Sequence, residues 1–255
     1  GELVRMAHVE RLSPRPLRVE ETGQLLARES GADLAPATVA AVHRRTGGNP
    51  FFTAELGRLV RVRGTDPTRG IPAGVRDVLR LLLERLPTET QSVLRAAAVQ
   101  GRTFTLDVVA AVHGAAPLDV LDLLEAAIAA QLVVEDQRRP GAYRFSHVLV
   151  QEAIAGPLSA MRRAHLHHEI AAALGAMAPA RPELWAEVAH HATGAVPVTG
   201  PGPAVEPLTR AAMHAISVNA HELAHQLVEQ RLATIVALPP GRERDDRRQA
   251  LLDQL

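Results

Sequence analysis

Lysine is missing from this sequence: all 28 basic residues among its 255 are arginine, balanced by 28 acidic ones, and cysteine is missing as well. Without lysine the chain holds no phosphate-cradling Walker A lysine, no Schiff-base amine and no kinase-type β3 lysine. The lack of cysteine excludes a disulfide framework, a thiolate zinc site and a cysteine nucleophile. No apolar run approaches the roughly 18 residues that mark a membrane-spanning helix. Gly1-Glu2-Leu3-Val4-Arg5 shows no basic n-region leading into an apolar core. The redox compartment stays undetermined by these absences; a cytoplasmic protein without a membrane partner is the expectation. The formal net charge of zero argues against a broad basic face for nucleic acid, because such faces draw affinity from neutralising phosphates.

What the sequence does contain is alanine and leucine, within a hydrophobic share of 47%, while aromatics reach only 2%. That composition favours helix over strand, since neither residue loses much rotamer freedom in a helix. A mostly α fold is expected. Helices are predicted from Arg18 to Ser30, ended by Gly31, and from Pro36 to Arg45, stopped by Gly47-Gly48. A third runs from Pro50 to about Arg63, with Asn49 as N-cap and proline at the first helical position. Residues 63–70 read as a linker. Helices follow over Pro72 to Arg85, Thr88 to Val99, Leu106 to Val112 and Pro117 to Ala130.

Leu132-Val133-Val134 and Tyr143-Arg144-Phe145 then read as a hairpin around turn-rich residues 136–141. Helix, helix, helix, hairpin is the order of a winged-helix domain. Ser146 is predicted to cap the next helix, placing His147 in its first turn, where the dipole disfavours imidazolium. Pro157 to Met177 reads as helix, residues 196–203 as a loop, and the remainder as helical. Ala211, Ala212, Ala215, Ala220 and Ala224 recur at spacings that let helices approach closely, as in tetratricopeptide-like (TPR-like) pairs. The chain stops inside a helical pattern, so it is expected to be a fragment of a longer protein.

Five short motifs in order carry a family resemblance. They are Thr46-Gly47-Gly48-Asn49-Pro50-Phe51-Phe52, Ile71-Pro72 with Val75-Arg76, and Leu94-Arg95-Ala96-Ala97-Ala98-Val99 with Gly101-Arg102-Thr103-Phe104. Tyr143-Arg144-Phe145-Ser146-His147 and Arg163-Ala164-His165-Leu166-His167 complete the set. Together they resemble the nucleotide-binding core of LuxR-type and MalT-like transcriptional regulators, signal-transduction ATPases of the STAND class. The resemblance implies a helical lid over residues 1–63, a winged-helix domain over 72–155 and a TPR-like sensor arm over 158–255. It also implies that the P-loop subdomain, which would hold the missing lysine, lies outside this chain. Gly48, Asn49 and Pro50 match the family's adenine-contacting corner, and His147 the position that senses the nucleotide β-phosphate. ATP or ADP is then the implied cofactor, with only part of its site here. The implied partners are the P-loop subdomain and an effector or protein on the arm, with DNA bound only through a domain elsewhere. No catalytic residue is assigned, and the fragment is not expected to be an enzyme.

Two alternatives come from the residues themselves. A helical interaction scaffold would use the same motifs for packing alone. His221-Glu222-Leu223-Ala224-His225 spells the H-E-x-x-H of zinc proteases, where two histidines bind zinc and the glutamate is general base. No third ligand follows at a suitable spacing, because Glu243 comes after the helix-ending Pro239-Pro240-Gly241. His165, His167, His168, His190, His191 and His214 form no ligand set recognisable from spacing, and no metal is assigned. The presumptive recognition helix, Pro117 to Ala130, carries Asp119, Asp122 and Glu125 without a basic residue, which opposes a phosphate backbone.

Overall fold

Helix boundaries in the computed structural model, which describes residues 15–63 and 73–241, fall largely where caps and glycines put them. Helix α1 (Val19–Ser30) ends at Gly31 with φ 74°, and α2 (Pro36–Thr46) ends at Gly47 with φ 59°, both left-handed conformations that glycine adopts without a Cβ penalty. Helix α3 (Pro50–Arg63) and α4 (Ala73–Glu84) follow. The predicted linker, the Ile71-Pro72 motif, the first fourteen residues and the C-terminal segment from residue 242 lie outside the described residues.

By packing, the described residues divide into two units, one of those up to residue 81 with 147–149 and one of 82–146 with those from 150 onward. In the first, α1, α2 and α3 enclose a core of Leu26, Val42 and Leu56, flanked by Leu34 and Val39. Thr22 on α1 is buried and its hydroxyl meets His43 Nδ1 of α2 at 2.9 Å, so its polar atom is satisfied inside the core. Helices α1 and α3 approach through Gly57. A Cβ at that position would stand 2.7 Å from Glu29 Cβ and 3.4 Å from the Leu26 carbonyl oxygen.

The second unit opens with α5 (Thr88–Gln100), β1 (Thr103–Thr105), α6 (Leu106–His113), α7 (Pro117–Ala129), β2 (Val133–Glu135) and β3 (Ala142–Phe145). Where a two-stranded hairpin is expected, the structure forms a three-stranded antiparallel sheet in the order β1-β3-β2. The added strand sets Phe104 opposite Tyr143. Its ring stacks on that tyrosine at 5.9 Å between centroids and meets Phe145 tilted by 45° at 5.3 Å. A three-residue strand has almost no sequence pattern of its own; its partner lies far along the chain, and the aromatic contacts fix the pairing.

Helix α8 (Val148–Ala155) is followed by a break before α9 (Ala160–Met177), so the helix expected from Pro157 begins at Ala160 and ends at Met177 as expected. Ser159 starts α9 by accepting a hydrogen bond from the Arg162 N–H at 3.2 Å. After a 3-10 turn at Pro182–Leu184 come α10 (Trp185–Gly194), α11 (Val196–Thr199), α12 (Gly202–Ser217) and α13 (His221–Val236). The expected 196–203 loop is largely helical. Pro197 and Pro203 lie at helix starts, where no intrahelical N–H bond is lost, whereas Pro207 is carried inside α12. Ala189, Ala192, Ala204, Ala211, Ala212, Ala215 and Ala224, with Leu208 and Leu227, form the core shared by α10, α12 and α13. The described residues are thus mostly α-helical with one small sheet, and no helix among them is long and apolar enough to cross a membrane.

Two glycines test this packing with opposite signs. Gly175 on α9 has only a Val188 methyl at 3.9 Å in the path of a Cβ, so Gly175→Ala is expected to stabilise by about 0.5–1 kcal/mol through helix propensity. At Gly57 the same gain meets a Glu29 Cβ that cannot swing away from its backbone. The overpacking cost of about 1–3 kcal/mol should win, so Gly57→Ala lowers stability in urea unfolding.

Candidate functional site

The corner between α2 and α3 is built from four residues with different tasks. Gly47 and Gly48 both take positive φ, 59° and 72°. The Gly48 carbonyl accepts a 2.8 Å hydrogen bond from the Leu17 N–H, and a Cβ on Gly48 would lie 2.4 Å from the Leu17 carbonyl oxygen. Only glycine fits there, on grounds of both backbone conformation and space. Asn49 caps α3 as its sequence position predicts: its side-chain oxygen accepts from the N–H groups of Phe51 at 3.0 Å and Phe52 at 3.3 Å. Beneath the corner, the buried Thr53 hydroxyl reaches Thr46 Oγ1 at 3.3 Å and the Asn49 carbonyl at 2.9 Å.

Pro50 is exposed at the first helical position, beside Phe51 with 42% of its surface accessible. The corner therefore presents an apolar face next to the partial positive charge of a helix N-terminus. Phe52 turns inward and is buried.

His147 joins this corner from the far side of the sequence. Residues 147–149 belong to the first unit, and the His147 ring stands edge-on to Phe52 with centroids 5.0 Å apart and planes at 84°. A Cβ on Gly47 would lie 3.0 Å from His147 Nδ1, so the glycine leaves the space that the imidazole fills. Gly48, Asn49, Pro50 and His147 are thus gathered in one unit. Two local expectations are corrected. Helix α8 starts at Val148, which leaves His147 just before the helix rather than in its first turn, and the buried Ser146 hydroxyl makes no hydrogen bond, so it does not cap α8.

The H-E-x-x-H residues sit on α13 with His221, Glu222 and His225 all exposed. His225 faces Glu229 at 3.8 Å and Glu222 accepts from Gln226 at 3.4 Å. Among the described residues no third ligating side chain joins them. A different set does converge: His167 of α9 with His190 and His191 of α10. Spacing could not reveal it, because the histidines come from two helices and only their packing brings the rings together.

On α7 the carboxylates Asp119, Asp122 and Glu125 are all exposed, as the sequence pattern implies. The surface that a winged helix would offer to a major groove is acidic and repels phosphate.

The corner's construction predicts an order of sensitivity. Asn49→Ala is expected to cost about 1 kcal/mol and Asn49→Asp only a few tenths, since aspartate also caps. Gly48→Ala should cost more than either, about 1–3 kcal/mol for the left-handed backbone alone; urea unfolding of the three variants tests the ranking. Compared with known proteins, the chain matches no protein-family model and no curated protein.

Proposed function

We propose that the chain is the regulatory portion of an ATP-dependent transcriptional regulator of the LuxR/MalT-like STAND type, comprising lid, winged helix and the start of a TPR-like arm. The observation that carries this reading is the seating of His147 against Gly47 and Phe52. Two motifs far apart in sequence, each matched to a nucleotide-contacting position of that family, form one local structure. Pro50 and Phe51 offer an apolar platform for adenine, and His147 stands beside it as the phosphate-sensing group.

The order α5, β1, α6, α7, β2, β3 supports the winged-helix part, since one strand after the first helix and a terminal hairpin is the arrangement of that domain. The alanine-lined packing of α10, α12 and α13 supports the TPR-like part. In this reading nucleotide held between the lid and a P-loop subdomain outside these residues biases a closed against an open state of a cytoplasmic protein. The acidic α7 makes the winged helix a packing module, and DNA is read elsewhere.

A second reading, a helical interaction scaffold, is favoured by one observation. Met213, Ile216, Leu223, Leu232 and Val236 leave much of their apolar surface exposed on α12 and α13. Under the first reading the same surface is where the arm carries its effector or partner protein.

Titration of the parent protein with fluorescent ADP separates the two. Nucleotide binding weakened about tenfold, or about 1.4 kcal/mol, by Pro50→Ala and by His147→Ala is expected. Affinity unchanged in both variants, or no nucleotide binding at all, leaves the scaffold.

A further inference from the structure

We propose that His167, His190 and His191 form a binding site for a divalent transition metal, with zinc the best fit, in the arm. One ring nitrogen from each lies within 4.8 Å of the other two. The rings crowd together, with centroids 4.9 Å apart for His167 and His191, 5.1 Å for His190 and His191, and 5.8 Å for His167 and His190.

The cluster is built in. A Cβ on Gly194 would come within 2.7 Å of the His167 ring, so the end of α10 is glycine where the imidazole of α9 must pass. His191 is fully buried, its Nδ1 facing His167 Nδ1 at 2.8 Å, and its ring also hydrogen-bonds to the Gln100 backbone. Two neutral imidazoles facing through Nδ1 share one proton between those two nitrogens, the bond that a metal ion would replace.

Three imidazoles with an open fourth position are the ligand set of catalytic-type zinc sites, and zinc–nitrogen bonds of about 2.0–2.1 Å place tetrahedral ligands about 3.3 Å apart. Closing the set from 4.8 Å therefore needs a movement of at most about 1.5 Å. His190, the exposed member, can supply it by rotamer change. The facing pair has to open by only about half an ångström as the ion replaces their hydrogen bond.

Metal binding requires neutral imidazoles, and each member of the facing pair can offer Nδ1 with its proton carried on Nε2. Burial and the neighbouring imidazoles hold His191 down to about 3, tempered by the Gln100 backbone, and burial with His190 and Arg163 lowers His167. No carboxylate is in the cluster, and the nitrogen-only set selects zinc, copper or nickel over magnesium or calcium. His167 and His190 also line an open pocket of about 450 Å³ with Thr193, Leu223, Leu227 and Gln230. The fourth coordination position faces solvent there and can take water or an anionic small molecule.

The test is calorimetric titration of the metal-free 255-residue chain with Zn²⁺, alongside His190→Ala, His167→Ala and the surface control His225→Ala. His190 is exposed, so its loss leaves the fold intact even if His167→Ala does not. Since disturbing outer-shell groups alone costs about 10–100-fold in metal affinity, removing a ligand is expected to cost at least tenfold. One-to-one binding weakened to that extent by His190→Ala and retained in His225→Ala is the expected result. Added Co²⁺ should give the visible absorption of a four-coordinate ion in the wild type and none in His190→Ala. Unchanged zinc affinity in His190→Ala, loss in His225→Ala instead, or no binding tighter than about 100 µM overturns the site.

Discussion

Close approach at positions with no side chain is the constraint on which the rest of this structure depends. A chain with 2% aromatics and a core of alanine and leucine cannot fill wide gaps between helices, so its backbones must come near one another. Gly57 does this between α1 and α3, and Gly48 does it against the Leu17 backbone. The same device then creates both functional candidates. Gly47 vacates the space for the His147 ring, and Gly194 vacates it for His167. In each case the glycine leaves the room an imidazole takes, and neighbouring rings complete the contact, Phe52 beside His147 and His191 beside His167.

The larger aromatic residues are placed where alanine packing would fail. The small sheet has too few backbone hydrogen bonds to persist alone, and a minimal sheet needs a hydrophobic face. Phe104, Tyr143 and Phe145 supply that face, all buried, with Phe104 stacked on Tyr143 and tilted against Phe145. Phe52 plays the equivalent part at the α2–α3 corner, where its ring is the wall against which His147 rests edge-on. Phe51 is the exception, 42% exposed beside an exposed proline, and it supplies the apolar surface on which the proposed adenine contact rests.

Local chemistry was legible in the sequence and long-range juxtaposition was not. Gly31, Gly47, Pro36, Asn49 and Pro50 announce helix ends because each acts on its own backbone within one turn, and those boundaries fell within a residue or so. Strand β1 was missed because its pairing partner is remote and its three residues carry no period. Ser146 illustrates a false local cue, since a hydroxyl before a helix is a cap only if the backbone turns it toward the N–H groups. At the candidate site the sequence named Gly48, Asn49, Pro50 and His147 through a resemblance, but physical spacing alone gave no reason for His147 to lie on Gly47. The histidine cluster was invisible for the same reason, two of its members being adjacent in sequence and the third a helix away.

Charge separates the two candidate sites further. At the corner the histidine is half-buried, with a phenylalanine ring edge-on and the room left by a glycine beside it. In the second unit the buried histidine is held neutral, with its Nδ1 on His167 and its ring hydrogen-bonded to the Gln100 backbone. Leucine at position 191 would fill similar space with no polar group to satisfy. Packing alone therefore does not call for a buried, uncharged imidazole facing two others, and this distinguishes the cluster from the exposed histidines of α13.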